Sequence, residues 1–126
     1  MGKQILIIDD DLLIRQLLYN YLNTAYDIEL KNDGHQALKW LKDGNKPDLI
    51  LLDVEMPEMN GRVFIRRIKT SPLHNDIPII IVSGSNSNLL RNSFLKAGAA
   101  DFIVKPFQQD ILNETINNVL NKKLGI

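Results

Sequence analysis

The sequence predicts an α/β fold in which five parallel strands form one sheet with helices on both faces. Two observations carry this prediction. Short aliphatic runs alternate with stretches of helical periodicity over five rounds. The runs are apolar without interruption, as expected of strands buried on both sides, and strands that alternate with helices are joined by right-handed crossovers. We therefore expect one doubly wound (βα)5 domain over residues 1–126.

The strands are predicted from the aliphatic runs and from the breakers beside them. The expected strands are Gln4 to Ile8, Tyr26 to Leu30, Leu49 to Leu52, Ile79 to Val82, and Phe102 to Val104. Residues of the second run alternate between apolar and polar, which favours a half-exposed strand at an edge of the sheet.

The helices are predicted from apolar residues three and four positions apart. The first helix is expected to end near Thr24. The other four are expected at Gln36 to Lys42, Arg62 to Lys69, about Ser87 to Lys96, and Gln109 to Lys123. Asp33-Gly34 is interpreted as a turn before the second helix, and Gly98 as the C-terminal cap of the fourth.

Composition excludes several classes of function. The 126 residues contain fifteen basic and fifteen acidic side chains, so no net field favours direct binding of nucleic acid or of an anionic membrane. The absence of cysteine excludes disulfides and thiolate metal sites. No apolar stretch reaches the roughly 18 residues of a membrane span, and no secretory signal precedes the first strand. We expect a cytoplasmic protein.

Polar side chains follow four of the predicted strands. Asp9 and Asp10 come after the first strand, Asp53 after the third, Ser83 after the fourth and Lys105 after the fifth. Because ligands of open parallel sheets bind beyond the carboxyl ends of the strands, these side chains are expected to meet at one edge. Asp53 is the most informative of them, since packing gives no reason for an acid where a buried strand opens into a loop.

Each of these residues also has a simpler explanation when it is considered alone. Asp11, next to Asp9 and Asp10, is expected to cap the first helix, but one helix end cannot use three carboxylates. Asp53 alone could be a solvated loop acid, Ser83 a turn hydroxyl and Lys105 a surface lysine. His35 and His74 are expected to be solvated, and Trp40 to be half-exposed at the flank of its helix.

Together the residues indicate phosphoryl transfer to an acid. Three carboxylates without cysteine or a nearby histidine form a hard oxygen site that suits Mg²⁺ better than Zn²⁺. Phosphoryl transfer requires in-line positioning and neutralisation of the oxygens around phosphorus. Asp53 is the candidate nucleophile, the metal held with Asp10 would neutralise one oxygen, Lys105 a second, and Ser83 would donate a hydrogen bond to the third.

Four segments carry a resemblance to a known family. The segments IIDDD, LLDVEMPEMNG, IVSGS and AGAADFIVKPF, with the separations between their polar residues, resemble the receiver domain of two-component response regulators, of the chemotaxis-regulator kind, over essentially the whole chain. The resemblance implies a flavodoxin-like sheet with the strand order 2-1-3-4-5. It also implies that Asp53 accepts phosphate from a histidine kinase or a histidine phosphotransfer protein.

The resemblance assigns further roles to individual residues. Mg²⁺, or Mn²⁺ as a substitute, would be held by Asp10, Asp53, the backbone carbonyl of Glu55 and, mainly through water, Asp9. Lys105 would contact the acceptor or its phosphate and form a cis peptide with Pro106. Pro57 and Gly61 would shape the loop after Asp53.

The resemblance also implies how the signal leaves the site. Ser83 would move toward the phosphoryl group and Phe102 would swing inward, which alters the surface of the fourth helix, fifth strand and fifth helix, where an unknown downstream protein docks. Serine at 83 replaces the commoner threonine, and phenylalanine at 102 replaces the frequent tyrosine. A monomer or a phosphorylation-dependent dimer is expected.

Three alternatives belong to other classes. A haloacid-dehalogenase-type phosphatase also forms an aspartyl phosphate, but it needs a second Asp where Glu55 stands. A flavodoxin-like electron carrier shares the sheet, but acids rather than a phosphate-binding loop follow the first strand. A receiver-like interaction module that is never phosphorylated would not need the complete acid, serine and lysine set. A stand-alone receiver, a relay intermediate and one domain of a longer protein all remain open.

Overall fold

One parallel sheet forms the centre of the molecule. The computed structural model describes residues 2–54 and 59–123. Its strands are Gln4–Ile8 (β1), Asp27–Lys31 (β2), Leu49–Asp53 (β3), Ile79–Ser83 (β4) and Asp101–Val104 (β5). All neighbouring strands are parallel, and their order is β2-β1-β3-β4-β5. This arrangement confirms the predicted fold class and strand order.

Five helices connect or follow the strands. They are Leu12–Leu22 (α1), Gly34–Lys42 (α2), Gly61–Lys69 (α3), Asn88–Ala97 (α4) and Gln109–Lys123 (α5). Predicted and observed helix ends differ by up to two residues, which is the usual uncertainty of a frayed terminus. None of the helices within the described residues is long and apolar enough to cross a lipid bilayer.

Successive residues of each central strand pack into two separate cores. On one face, β-strand residues such as Leu6, Ile50 and Ile81 pack against α2, α3 and α4. On the other face, the strand residues that alternate with these, such as Ile7, Leu51 and Ile80, pack against α1 and α5. β3 and β4 are buried at every position, because helices cover both faces of the sheet. The sheet is therefore a rigid base for the loops at its carboxyl edge.

The register of the strands aligns their carboxyl ends. Asp53 at the end of β3 is paired with Val82, so Ser83 lies one position beyond it on the neighbouring strand. Ser83 is in turn paired with Val104, which places Lys105 just past the end of β5. The fold thus brings the polar residues that follow β1, β3, β4 and β5 to one edge.

Two sequence interpretations of the loops were wrong. Asp33 and Gly34 do not form a separate turn: Asp33 is the N-cap of α2, its side chain accepts a hydrogen bond from the N–H of Gln36 at 2.9 Å, and Gly34 begins the helix. His74 is buried rather than solvated, with its Nδ1 atom 3.1 Å from the Ser71 hydroxyl. His35 is exposed and Trp40 is partly buried, as expected.

Candidate phosphoacceptor and metal site

Three carboxylates converge at the carboxyl edge of the sheet. Asp9, Asp10 and Asp53 each offer an oxygen, and these oxygens all lie within 4.8 Å of one another. Asp9 and Asp53 are 1% and 4% exposed, whereas Asp10 faces solvent. The cluster is therefore open on the side of Asp10 and closed by the sheet on the other.

The ammonium group of Lys105 lies between two of these acids. Its Nζ atom is 3.4 Å from Asp9 Oδ2 and 3.5 Å from Asp53 Oδ1. The backbone N–H of Lys105 donates a 2.7 Å hydrogen bond to the carbonyl of Ser83, which fixes where its side chain begins. Within the described residues, the Lys105 ammonium thus links the carboxylates of Asp9 and Asp53.

Asp9 is held by hydrogen bonds from residues that follow it closely in the chain. Its Oδ1 atom accepts a 2.9 Å hydrogen bond from the N–H of Asp11, and its carbonyl accepts one from Arg15 Nη1 at 2.7 Å. Burial raises the pKa of Asp9, the N–H of Asp11 and the ammonium of Lys105 act to lower it, and the charge of Asp10 adds to the rise. Additional positive charge at the cluster would favour the ionised form of this acid.

Ser83 and Phe102, the two predicted switch residues, are both buried. Ser83 is buried at the end of β4, and its Oγ atom accepts a 3.1 Å hydrogen bond from the N–H of Ser85. Phe102 is 5% exposed, and its ring centroid lies 6.3 Å from that of Phe94 on α4. The ring of Phe102 is therefore buried beside α4 in this structure, and its movement on phosphorylation stays a prediction.

The remaining predicted site residues lie in the loops around the cluster. The peptide bond between Lys105 and Pro106 is cis. Gly61 begins α3, and a Cβ atom there would lie 3.4 Å from both the Phe94 ring and the backbone of Val54. Glu55 and Pro57 lie outside the described residues.

The donor set fits a hard divalent cation. All three candidate ligands are carboxylates, which suits Mg²⁺ and does not suit a metal that prefers sulfur or imidazole. Mg²⁺ binds through one or two carboxylates and keeps waters, so the solvent-facing position of Asp10 is compatible with it. A dication would also reduce the repulsion among these carboxylates.

Sequence analysis missed two residues around the site. The guanidinium of Arg15 on α1 donates a 2.7 Å hydrogen bond to the Asp9 carbonyl. Arg62 lies over the ring of Phe94, 4.8 Å from its centroid, and donates a 2.7 Å hydrogen bond to the Ser93 hydroxyl. No spacing signal marks either contact, since both depend on how helices α1, α3 and α4 sit on the sheet.

A family comparison agrees with this geometry. The model of the family described as response regulator receiver domain matches residues 5–117. The chemotaxis protein CheY of Thermotoga maritima is 38% identical over 122 residues, which cover 94% of this chain and 98% of that protein.

Other relatives extend the comparison to longer proteins and to solved structures. The cyclic di-GMP phosphodiesterase response regulator RpfG of Xanthomonas campestris pv. campestris is 36% identical over 95% of this chain, but the matched region spans only 32% of RpfG. A solved response regulator receiver domain protein (CheY-like) from Methanospirillum hungatei superposes with a TM-score of 0.89 at 27% identity, covering 99% of this chain and 98% of that one.

Proposed function

Because this chain belongs to the response regulator receiver domain family, we propose that it is a phosphoacceptor whose acceptor is Asp53. Phosphorylation is a general property of that family, as is interaction with histidine kinases or phosphotransfer proteins. The observation that carries the proposal is the convergence of Asp9, Asp10 and Asp53 with Lys105 at one edge of the sheet. We further propose that residues 1–126 form one receiver domain.

The chemistry requires an ionised carboxylate. An oxygen of Asp53 attacks phosphorus of a phosphohistidine, the new O–P bond forms, and the N–P bond breaks with its electron pair returning to the imidazole nitrogen of the donor. The Lys105 ammonium, 3.5 Å from Asp53 Oδ1, favours the charged form of the acceptor and offsets charge on the transferred group. Asp53 therefore acts as a nucleophile without a separate general base.

The metal is part of this proposal. Asp10 and Asp53 would hold Mg²⁺, or Mn²⁺ in its place, with the carbonyl of Glu55, and Asp9 would act mainly through water. When bound, the ion neutralises charge on the phosphoryl oxygens and reduces the repulsion among the acids. Arg15 keeps the backbone of Asp9 in position for this arrangement through its 2.7 Å hydrogen bond.

The signal is proposed to leave through Ser83 and the surface of α4, β5 and α5. The Ser83 hydroxyl has a hydrogen that it can donate to a phosphoryl oxygen while it still accepts a bond from Ser85. Phe102 links that side of the sheet to α4 through Phe94. Exposed Leu89 on α4 and Ile111 on α5 offer apolar contact to a downstream protein on this surface.

The remaining parts of the proposal concern the setting of the protein. We expect it to act in the cytoplasm as a signalling component that catalyses only its own phosphorylation and dephosphorylation. A histidine kinase or histidine phosphotransfer protein is its proposed donor. It is proposed to act as a monomer or as a dimer formed on phosphorylation, without direct contact to nucleic acid or membrane.

Intact mass spectrometry tests the acceptor. Wild-type protein is incubated with phosphoramidate or acetyl phosphate and Mg²⁺, and we expect one labile phosphoryl adduct that a chelator suppresses. Asp53→Ala should form none. Asp11→Asn is a matched control, because it removes a neighbouring carboxylate that caps α1 and does not belong to the cluster.

Two results would contradict the proposal. An equal yield of adduct in Asp53→Ala would show that another residue is modified. No adduct in the wild type, with either donor, would favour a receiver-like interaction module that is never phosphorylated.

A further inference from the structure

Three serines at alternate positions join the end of β4 to the start of α4. The N–H of Ser85 donates to Ser83 Oγ at 3.1 Å, and the N–H of Ser87 donates to Ser85 Oγ at 3.2 Å. The N–H of Leu90 then donates to Ser87 Oγ at 3.2 Å, which makes Ser87 the N-cap of α4. We call Ser83, Ser85 and Ser87 the serine relay. Its first hydroxyl lies at the candidate site and its last holds a helix.

The helix that the relay reaches has few anchors in the core. Phe94 is the one fully buried residue of α4 within the described chain. The Arg62 guanidinium lies 4.8 Å from the centroid of that ring, and the ring of Phe102 lies 6.3 Å away. Arg62 also donates a hydrogen bond to the hydroxyl of Ser93, the residue before Phe94. The middle of α4 is therefore held from α3 and β5.

The two ends of α4 differ in how they are fixed. At the C-terminal end, Gly98 closes the helix in a left-handed conformation beside the stem of Lys69, whose ammonium bonds the carbonyl of Ile77 at 3.4 Å. At the N-terminal end, Leu89 is 83% exposed, and Leu90 is partly buried against the core. The relay is the hydrogen-bonded link between this first turn and β4. A displacement of the relay therefore acts on the first turn of α4, whose contact with the core is only partly buried.

We propose that Ser85 and Ser87 are positioning residues that carry movement of the Ser83 hydroxyl to the first turn of α4, which pivots about Phe94. The inference rests on the proposed function, since phosphorylation of Asp53 supplies the movement of Ser83. A hydroxyl has one hydrogen and two lone pairs, so Ser83 keeps its bond from Ser85 while it donates to a phosphoryl oxygen. The backbone of Ser85 follows that oxygen, and its own hydroxyl transmits the shift to Ser87.

The serine relay would carry the signal from Ser83 to α4 without rotation of an aromatic ring. Phe102 has no phenolic hydroxyl to draw its ring toward solvent, and the ring is packed inside the core beside Phe94. A ring in that position supports α4 as a fixed contact. The first turn of α4 then responds through the backbone of the β4–α4 loop.

The test compares phosphoryl uptake with the response of α4 in the same samples. Wild type and variants are treated with phosphoramidate and Mg²⁺, the modified fraction is measured by intact mass, and backbone amide shifts are recorded by ¹H–¹⁵N NMR. In the wild type we expect the amides of Ser85, Ser87 and Leu90 to shift on phosphorylation. All shifts are normalised to the modified fraction, so that a change in phosphate lifetime does not enter the comparison.

Each variant interrupts the relay at a different step. Ser85→Ala should still take up phosphate, but the Leu90 shift should fall at least threefold. Ser87→Ala should keep the shift of the Ser85 amide and lose that of Leu90. Ser85→Thr and Ser87→Thr retain a hydroxyl and should restore the response. Asp33→Ala, which removes the N-cap of α2 away from the relay, should leave the α4 response unchanged.

The outcomes separate the inference from the function on which it rests. If the wild type forms no adduct, the proposed function fails and this inference fails with it. If the adduct forms and Ser85→Ala keeps a wild-type Leu90 shift, only the relay is refuted. If the Leu90 shift is lost in the alanine variants and recovers in the threonine variants, the relay is supported. A general loss of helix stability would not leave the Ser85 shift intact in Ser87→Ala while the Leu90 shift is lost.

Discussion

Replacing Asp10 with asparagine should stabilise the protein when no metal is present. The substitution keeps the size of the side chain and removes one of three negative charges whose oxygens lie within 4.8 Å of one another. Like charges at this distance repel, and the Lys105 ammonium lies against the carboxylates of Asp9 and Asp53. Under the proposed function this cluster binds a cation, so function and stability are expected to oppose one another at this position.

The magnitude follows from Coulomb's law. One pair of unit charges 4.8 Å apart repels by about 0.9 kcal/mol in bulk water and by about 3.5 kcal/mol at an effective dielectric constant of 20. Asp10 faces solvent, so the lower figure applies more closely, and it has two acidic neighbours. We expect a gain of about 1–2 kcal/mol, which for a domain of this size raises Tm by roughly 3–10 °C.

Mg²⁺ should reverse the order of stability. A ligand that binds only the folded state stabilises it by about 2.7 kcal/mol at a hundredfold excess over its Kd. Asp10→Asn removes a candidate ligand, so most of this gain should be lost in the variant. Thermal and urea unfolding, each measured in chelator and in a Mg²⁺ series, give the stability without metal and the stabilisation by Mg²⁺ for each protein. Asp11→Asn is the control, because asparagine also caps helices and the cluster stays complete.

Two results would refute this reasoning. If Asp10→Asn is less stable than the wild type in chelator, repulsion among the acids is not the dominant energy at the site. If the variant keeps the full Mg²⁺ response, Asp10 is not a ligand. An equal gain in Asp11→Asn would assign the effect to the net charge of the loop instead of to the cluster.

Two further predictions concern the backbone and the switch. Gly98→Ala should destabilise the fold by about 1–2 kcal/mol in urea unfolding, because its φ is +116° and a Cβ atom would lie 3.2 Å from Lys69 Cγ. Gly44→Ala, with φ of +105° and no neighbour within 4 Å, isolates the cost of the backbone and should destabilise less. Equal losses would show that contact with Lys69 does not matter. Lys105→Ala should still take up phosphate by intact mass but should not produce the Leu90 amide shift, and a wild-type shift would contradict its role.

The sequence was sufficient to predict the sheet and the edge at which the acids meet. Leu49 to Leu52 and Ile79 to Val82 are unbroken aliphatic runs, which together with the loop-forming residues after them favour strands covered on both faces. The position of Asp53 follows from the end of its run. Strand order required the family resemblance, because alternation of strands and helices alone does not determine which strands are neighbours.

The loops could not be predicted in the same way. Asp33-Gly34 has the composition of a turn and also that of a helix start, and only the bond from the N–H of Gln36 decides between them. His74 lies in a connection without periodicity, so nothing in its surroundings indicated that the chain would bury it against Ser71. The serine relay depends on the path of the backbone between β4 and α4. Local spacing does not encode that path.

The single deep anchor of α4 has a consequence for how such a protein diversifies. Phe94 is the buried residue of that helix among the described residues, and Leu90 and Leu95 pack against the core while partly exposed, so substitutions on the outward side of α4 disturb little of the interior. The acids, by contrast, lie at the end of β3 and directly after β1, strands whose residues are nearly all buried. Natural variation can therefore change the outward face of α4, the proposed docking surface, while the proposed phosphorylation site stays constant.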